Sequence, residues 1–415
     1  MSFAYRNGVL HAEQVPLDSI AQRFGTPCFV YSRAVIDAAL REYVAALAGR
    51  TALICYSVKA NSNLALLALL ARQGCGFDIV SGGELARVLA AGGDPAKVLF
   101  SGVGKSRAEI ELALRHDVGC LNLESEAELE RVDEVARALG KAARIAFRVN
   151  PDIDARTHPY ISTGLQENKF GVAHGDAERL YRRAQGMRGV HIVGIGCHIG
   201  SLLADPAPLV AAAERVAELV DRLEAAGIAL EHVDIGGGVG IRYRDEPQQP
   251  IGAFVRGVLE VLGARRHKIV LDPGRSIVGN AGILLTRVEY VKPGAARSFL
   301  VVDAAMNDFI RPPLYDAWHE VQPVREPESV PCAAVYDVVG PVCESADFLA
   351  RERRLSAAEG DLLAIRSAGA YGMAMSSNYN TRPRAAEVLV AGERADLVRS
   401  RETVEMLFAL ERIPA

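Results

Sequence analysis

The sequence lacks long apolar runs and any concentration of positive charge. No apolar run reaches the roughly 18 residues that a membrane span needs, and the N-terminus MSFAYRNGVLHAEQ has no basic region followed by an apolar one. The 47 Lys and Arg residues are outnumbered by 51 Asp and Glu residues, and the arginines are scattered. We therefore expect neither a membrane protein nor a nucleic-acid-binding protein, but a cytoplasmic protein that acts on small molecules.

Patterns that bind metals are also missing. None of the nine histidines forms an HExxH motif or joins cysteines at zinc-finger spacing, so we expect no metal site. The seven cysteines include no CxxC pair. Six of them are expected to be buried free thiols, namely Cys28, Cys55, Cys75, Cys120, Cys197 and Cys332.

Low-complexity tracts are absent too, and half of the 415 residues are hydrophobic, which predicts a large packed core and two domains. From about residue 50 to 280, short apolar runs alternate with stretches of helical periodicity. Eight such strands predict a parallel (β/α)₈ barrel, in which site residues lie at the C-terminal ends of the strands. The predicted strands are ALICYSV (52–58), GFDIV (76–80), VLFS (98–101), GCLNL (119–123), RIAFRV (144–149), HIVGIGCHI (191–199), LEHVDIG (230–236) and KIVLD (268–272).

The pattern changes after about residue 280. Strand-like segments follow one another without long helices, which predicts a mainly antiparallel β-domain; they are GILLTRVEYVK, SFLVVDAAM, AAVYDVVGPV, DLLAIRS and AAEVLVAG. The first 30 or so residues, including TPCFVYS, are also strand-like, and we expect them to pack with that domain. The predicted organisation is α/β plus all-β, with an N-terminal segment over 1–30, the barrel over 31–280 and the β-domain over 281–415.

Lys59 follows the first predicted barrel strand. Lysine is scarce in this chain, which has only seven, and an amine at the mouth of a barrel can condense with an aldehyde. Its position alone favours a solvated loop lysine instead. The motifs at the other strand ends favour the chemical role.

Those motifs lie after the sixth, seventh and eighth strands. The glycines of 236–238 either bind a phosphate or form a simple tight turn. Asp272 either faces a pyridine nitrogen or pairs with Arg275 across the Pro-Gly turn of DPGRS. His198 and Ser201, in CHIGS, are placed to stack on a flat ring and to bond a phosphate, although a lone His near a strand is more often part of the core.

Taken together, these motifs resemble those of the diaminopimelate decarboxylase family, within the fold-type III, alanine-racemase-like group of pyridoxal-phosphate enzymes. The resemblance covers nearly the whole chain. The motifs are specific as a long set in a fixed order, although each short motif alone is weak evidence. The segments that carry it are YSVKANSN, FDIVSGGEL, FSGVGK, NPDIDARTHPYISTGLQENKFG, CHIGS, DIGGGVGIRY, DPGRSIVGNAG, DAAMNDFIRPPLYDAWH, VVGPVCESADFL and AGAYGMAMSSNYNTRPRAAEV.

The resemblance implies that Lys59 holds pyridoxal 5′-phosphate as a Schiff base and that His198 stacks on its ring. It implies further cofactor contacts from Asp78, Ser201, Gly236, Gly237, Gly238, Asp272, Gly274, Arg275 and Tyr371. It also implies that the substrate is bound by Arg275, Arg311, Tyr315, Glu344 and Tyr371. Arginine suits a distal carboxylate because its fork binds both oxygens.

The segment CES, with Cys343 and Glu344, is implied to reach the site of a second subunit, since this family forms homodimers with shared active sites. Cys343 is thus the one thiol for which we expect a function, as a proton donor. One departure from the family is Asp272, where the family usually has Glu, so this carboxylate must sit closer to the ring nitrogen or reach it through water. A smaller departure, Leu after the Ser of HIGS, carries no functional claim.

The implied reaction converts meso-2,6-diaminopimelate to L-lysine and CO₂, the last step of lysine biosynthesis. The alternative is a related decarboxylase that acts on ornithine, arginine, D-lysine or carboxynorspermidine. Arg275 and Arg311 favour a substrate with a distal carboxylate, and the CES segment fits a racemase less well. A non-catalytic homologue is disfavoured because the chain keeps both Lys59 and CES.

Overall fold

The structure is a computed structural model that describes residues 3–153, 169–246, 250–326 and 334–414. The chain divides into two compact units. We call Met1–Ala39, Arg242–Glu246 and Ile277–Ala415 the β-unit, and Leu40–Ile241 with Pro247–Ser276 the barrel unit. The predicted domain boundaries at residues 30 and 280 stay predictions.

The strands of the described ranges are numbered in chain order. They are β1 Phe3–Arg6, β2 Val9–Ala12, β3 Val15–Pro16, β4 Cys28–Ser32, β5 Ala52–Ser57, β6 Gly76–Ile79, β7 Val98–Phe100, β8 Cys120–Leu123, β9 Ala143–Asn150, β10 Val172–Ala173, β11 Val190–Gly196, β12 His232–Asp234, β13 Lys268–Leu271, β14 Gly282–Lys292, β15 Ser298–Val302, β16 Val321–Pro323, β17 Ala334–Val339, β18 Phe348–Leu355, β19 Leu362–Ile365, β20 Ala386–Ala391 and β21 Arg394–Arg399.

The α-helices are numbered in the same way. They are α1 Leu17–Phe24, α2 Arg33–Ala46, α3 Leu64–Arg72, α4 Gly82–Ala90, α5 Arg107–Arg115, α6 Glu126–Ala138, α7 His174–Gln185, α8 Ala207–Ala225, α9 Ile251–Leu262, α10 Arg275–Val278, α11 Arg311–Tyr315 and α12 Val404–Phe408. Within the described ranges, no helix combines the length and the apolar character that crossing a membrane requires.

The barrel unit is a closed ring of eight parallel strands, in the order β5, β6, β7, β8, β9, β11, β12 and β13. The ring closes where β13 pairs with β5, with Ile269 opposite Ala52. Its centre is filled by small and branched side chains from six different strands, which are Cys55, Leu99, Cys120, Ala146, Val193 and Val270. All eight predicted barrel strands are therefore confirmed. The C-terminal ends of these strands converge on one mouth of the barrel.

Short polar side chains begin the helices that follow the first four barrel strands. The Asn63, Ser81 and Ser125 side chains each accept a hydrogen bond from a backbone N–H in the first turn of α3, α4 and α6. At α5, Ser106 and Glu109 form a reciprocal capping box. Because these caps satisfy N–H groups that lack partners inside the helix, each helix starts at a fixed residue beyond its strand.

The β-unit is built on a sheet with the order β18-β17-β15-β14-β4-β20-β21, and β19 pairs with both β14 and β16. Most pairs are antiparallel, which confirms the predicted mainly antiparallel domain. The N-terminal strand β4 lies inside this sheet, antiparallel to β14 and parallel to β20. The N-terminal segment therefore joins the C-terminal strands, as its composition predicted.

Candidate active site

Lys59 lies in a 3-10 turn, Val58–Ala60, immediately after β5. Its Nζ donates a hydrogen bond to Asp78 Oδ2 at 3.0 Å, and its side chain keeps 37% exposure while that of Asp78 keeps 1%. The amine thus stands at the mouth of the barrel, oriented by a carboxylate from the next strand. An accessible amine in a fixed position is what condensation with a carbonyl compound requires.

Asp78 lies at the end of β6, where burial, Lys59 and Ser101 determine its pKa. Burial raises its pKa, but the charge of Lys59 and hydrogen bonds from Ser101 and Lys59 outweigh burial, so the pKa is lowered below its ordinary value. The Ser101 Oγ donates to Asp78 Oδ1 at 2.6 Å. Asp78 is therefore an ionised carboxylate that holds Lys59 by charge as well as by geometry.

Asp272 follows β13 and is buried. The backbone N–H of Gly237 donates to His198 Nδ1 at 3.5 Å, so that nitrogen acts as an acceptor. Asp272 Oδ1 lies 3.5 Å from the same nitrogen and has no hydrogen-bond partner among the described residues. A buried carboxylate oxygen without a hydrogen-bond donor lowers the stability of the fold. This oxygen is placed to accept a hydrogen bond from a bound molecule.

The Gly236–Gly238 loop follows β12 and lies tightly against its neighbours. A Cβ added at Gly237 would stand 2.5 Å from Asp272 O and 2.6 Å from Asp272 Oδ1. A Cβ at Gly238, where φ is +85°, would stand 2.3 Å from Gly200 O. Glycine is thus required here by close backbone approach, as it is in phosphate-binding loops.

Two further predicted residues meet beside this loop. Arg275, at the start of α10, is buried, and its guanidinium donates to Ser201 Oγ at 3.3 and 3.4 Å. Gly274, one residue earlier, allows the turn to lie against Ser57 and Ala60, since an added Cβ would be 3.0 Å from both side chains. The turn that follows β13 therefore packs directly against the Lys59 segment.

These contacts fit pyridoxal phosphate. The lysine amine, the orphaned oxygen of Asp272 and the glycine loop are the three partners that its aldehyde, its ring nitrogen and its phosphate need. All of them belong to the barrel unit. The barrel unit thus brings together the predicted cofactor residues Lys59, Asp78, His198, Ser201, Gly236, Gly237, Gly238, Asp272, Gly274 and Arg275.

The other predicted residues, Arg311, Tyr315, Cys343, Glu344 and Tyr371, belong to the β-unit. Arg311, at the start of α11, is buried between two aromatic rings, with its guanidinium carbon 5.1 Å from the Tyr243 ring centre and 6.0 Å from that of Tyr315. Its Nη1 also donates to the Tyr243 hydroxyl at 2.9 Å. The guanidinium is therefore held in one orientation.

Cys343 and Glu344 lie exposed in the turn between β17 and β18. Asp347 fixes this turn, because its Oδ2 accepts from Val342 N at 2.8 Å and its Oδ1 accepts from Met306 N at 2.7 Å. The backbone N–H of Cys343 donates to Asn380 Oδ1 at 2.8 Å. The two side chains thus project from a backbone that is held at both ends.

Tyr371 lies in the segment AGAYGM with φ of +57°, a left-handed conformation that is uncommon for an aromatic residue. The neighbouring Gly369 lies so close to Val278 that an added Cβ would be 1.9 Å from its carbonyl oxygen. Such strain persists only where the surroundings impose it, and it concentrates at binding sites.

Sequence reasoning missed several polar residues at the barrel mouth. Burial and the nearby Asp272 raise the pKa of Asp234 well above its ordinary value, and its Oδ1 accepts a hydrogen bond from Gly236 N at 2.8 Å. Burial likewise raises the pKa of Glu84 to about 7. Glu124 and Arg148 were missed as well, and so was Tyr243 in the β-unit. Only their strand-end or motif positions marked them in the sequence.

The thiols behave as expected where they are described. Cys28, Cys55, Cys75, Cys120 and Cys197 are free and buried, and burial raises the pKa of each. Cys343 is free and exposed. The prediction for Cys332 lies outside the described residues, as does most of the segment NPDIDARTHPYISTGLQENKFG.

Comparison with known proteins bears directly on this barrel. The family described as pyridoxal-dependent decarboxylase, pyridoxal binding domain, matches residues 33–279. The fold and the site together therefore define a pyridoxal-phosphate-dependent decarboxylase built on a TIM-type barrel.

Full-length relatives narrow the class. The diaminopimelate decarboxylases of Pseudomonas aeruginosa and Neisseria meningitidis are 58% and 56% identical, over 99% and 97% of this chain and 99% and 98% of theirs. The crystal structure of diaminopimelate decarboxylase from Helicobacter pylori, complexed with L-lysine, has a TM-score of 0.91 at 42% identity and covers 95% of this chain and 98% of that chain. The chain belongs to the diaminopimelate decarboxylase family.

Proposed function

We propose that this chain decarboxylates meso-2,6-diaminopimelate to L-lysine and CO₂, the last step of lysine biosynthesis, with pyridoxal 5′-phosphate as cofactor. The observation that carries the proposal is similarity over the full length to diaminopimelate decarboxylases, in a chain whose barrel mouth holds Lys59 and Asp272.

The residues of the barrel unit would hold the cofactor and control its charge. Lys59 would supply the amine for the cofactor aldehyde, and Asp78 orients that amine. Asp272 would accept a hydrogen bond from the protonated ring nitrogen through its orphaned Oδ1, and its negative charge would keep that proton on the ring. When bound, the cofactor supplies the sink for the electron pair that remains after CO₂ departs. His198 would lie against the ring, and the glycine loop with Ser201 would bind the phosphate.

The residues of the β-unit would recognise the far end of the substrate. Arg311 is held by Tyr243 and flanked by Tyr315. In this fixed orientation its planar guanidinium would bind both oxygens of a distal carboxylate. Arg275 would contribute to the same recognition, and Tyr371 would contact both substrate and phosphate. Glu344 would bind the distal amino group. Cys343 would donate a proton to the carbon that loses CO₂.

A homodimer with shared sites is part of this proposal. Cys343 and Glu344 are exposed on their own turn, and that turn is fixed by Asp347 and Asn380. An exposed pair on a rigid turn suits insertion into the site of a second copy, in the symmetric arrangement usual for homodimers. We also propose a cytoplasmic location. The six described cysteines are free thiols, which a reducing compartment maintains.

Turnover with a substrate panel tests the activity. We expect the cofactor-loaded protein to release lysine and CO₂ from meso-diaminopimelate, and to act poorly on ornithine, arginine, D-lysine and carboxynorspermidine. Preference for one of those substrates would replace the proposal by the related decarboxylase. Absence of turnover on meso-diaminopimelate with a filled cofactor site would refute it.

Substitution of Lys59 tests the cofactor role. Lys59→Ala should lose the visible absorption of the lysine-bound cofactor and nearly all activity, because Lys59 is the amine that Asp78 holds at the barrel mouth. Lys97→Ala, which removes a lysine bonded only weakly to Gly74 O at 3.4 Å, is the matched control and should keep both. Retention of absorption and activity by Lys59→Ala would contradict the assignment.

Mixing two inactive variants tests the shared site. In a statistical mixture of Lys59→Ala and Glu344→Ala subunits, half of the dimers carry one intact site, so about a quarter of the native activity should return. Each variant alone should stay inactive. If the mixture also stays inactive although the subunits exchange, both residues serve a site within one chain.

A further inference from the structure

Glu124 is a buried carboxylate immediately after β8, and the proposed chemistry does not use it. Its Oε1 accepts from Gly102 N at 2.9 Å, in the loop after β7. Its Oε2 accepts from Gly171 N at 2.8 Å, just before β10. One side chain therefore ties together loops that follow three neighbouring barrel strands.

Arg148, on β9, continues the connection. Its Nη1 lies 3.6 Å from Glu124 Oε1, and its Nη2 donates to the backbone oxygen of His198 at 3.3 Å. The guanidinium also lies 4.8 Å from the ring centre of Phe170. The side chain of Glu124 is buried, with 2% exposure, and that of Arg148 is mostly buried, with 15% exposure. The backbone at His198 is thus held by an arginine that is itself held by Glu124.

A second buried pair supports Glu124. Lys105, in the segment FSGVGK, uses its Nζ to donate to Gly102 O at 2.8 Å, Asn122 O at 2.7 Å and Glu128 Oε1 at 2.8 Å. The other oxygen of Glu128 accepts from the backbone N–H of Glu124 at 2.7 Å. Each of the three ammonium protons of Lys105 has an acceptor, so the lysine end of this network leaves no donor unpaired.

Such a network contributes geometry more than stability. Desolvating two charges costs about as much as their attraction returns, so an apolar replacement of a buried ion pair is often as stable. What the apolar replacement cannot do is fix the directions of several loops at once. The loop fixed by Arg148 carries His198, whose Nδ1 lies 3.5 Å from Asp272 Oδ1.

We propose that Glu124 and Arg148 are positioning residues that hold His198 in the orientation in which its imidazole meets the cofactor ring. This inference rests on the proposed function, because it assumes that His198 meets the cofactor. It also gives a role to the FSGVGK segment, whose lysine completes the network.

Cofactor titration of the apoprotein tests the proposal without substrate. Arg148→Met should raise the dissociation constant of pyridoxal phosphate about tenfold and change the visible circular dichroism of the bound cofactor, since a charge-assisted contact is lost. Glu124→Gln should act in the same direction. Arg144→Met is the matched control: Arg144 is on the same strand, pairs with Glu231 at 2.6 Å and is exposed, so its loss should change neither quantity.

A double-mutant cycle separates positioning from general stabilisation. If Arg148 acts through His198, then Arg148→Met should weaken cofactor binding less than about twofold in a His198→Ala background. An equal tenfold loss in both backgrounds, or no loss in the native background, would overturn the proposal. If far-UV circular dichroism shows that Arg148→Met does not fold, Arg148→Lys and Glu124→Gln decide in the same cycle. The protein could also fail to turn over diaminopimelate while the effect of Arg148→Met on cofactor binding still depends on His198. That result would count only against the proposed function.

Discussion

The resemblance noted in the sequence implies Glu at the position of Asp272, and the surroundings of this shorter acid are closely packed. Its Oδ1 stands 2.6 Å from the place of a Cβ on Gly237, so the glycine loop already approaches the carboxylate closely. One more methylene would push that oxygen toward the loop or farther into the mouth.

Replacing Asp272 with Asn should lower kcat by about 100-fold, because the amide cannot keep the ring nitrogen protonated. Asp272→Glu should keep most of the activity, since the charge remains and only the reach changes. Steady-state kinetics on cofactor-saturated protein measures both. An Asn variant as active as the native enzyme would show that Asp272 does not control the charge of the ring.

Among single residues, the sequence predicted those whose position follows from a strand end. Lys59, His198 and Asp272 each lie within two residues of the end of an apolar strand, so their meeting at one mouth follows from the barrel alone. The connection from Glu124 to His198 does not follow in that way. It depends on side-chain directions and on a backbone carbonyl more than 70 residues distant, and no spacing rule encodes either.

At the level of the element, the loop after β12 leaves little room for added side-chain atoms. Gly237→Ala should weaken pyridoxal-phosphate binding at least about tenfold, because its Cβ would collide with Asp272 and the loop must shift. Gly175→Ala is the control, since a Cβ there, in α7, meets nothing within 4 Å. Titration of apoprotein with cofactor measures both. Equal affinities for the two variants would show that the loop does not bind the phosphate.

Strands were predicted well where both faces are buried and poorly where charge intervenes. The barrel strand β6 is buried at every residue, and its sequence GFDI is a short apolar run. By contrast, β18 has the sequence FLARERRL with exposed residues in the middle, and neither it nor β21 was predicted. Both are held by antiparallel partners, β17 and β20, so tertiary pairing outweighs their local composition.

At the scale of the whole molecule, the lowered pKa of His232 predicts how the free energy of unfolding depends on pH. Burial at the start of β12 lowers the pKa of His232 to about 4, below its ordinary value of 6.5. As pH falls from 6.5 to 4, the unfolded chain binds the proton and the folded protein does not, so the free energy of unfolding falls. Below pH 4 the folded protein binds it too, and the loss stops growing. The full effect is about 3 kcal/mol.

Urea denaturation of paired variants isolates this contribution. The native protein should lose stability relative to His232→Gln by about 2 kcal/mol between pH 7 and pH 4.5, since the variant has no imidazole to protonate. His191→Gln, at a histidine with 62% of its side chain exposed, should follow the native protein over the same range. A constant difference between native and His232→Gln at both pH values would contradict the assignment.

The place of β4 inside the C-terminal sheet has a consequence for synthesis on the ribosome. Its neighbour β14 begins about 250 residues after β4 ends, and its other neighbour β20 comes nearly at the end of the chain. At translation rates of about 5 to 20 residues per second, the finished β4 waits roughly 12 to 50 s for its first partner. During that interval the five residues CFVYS, all buried in the finished protein, remain an unpaired apolar strand. The nascent chain should therefore depend on chaperones at its N-terminus until translation is nearly complete, even while the barrel behind it folds.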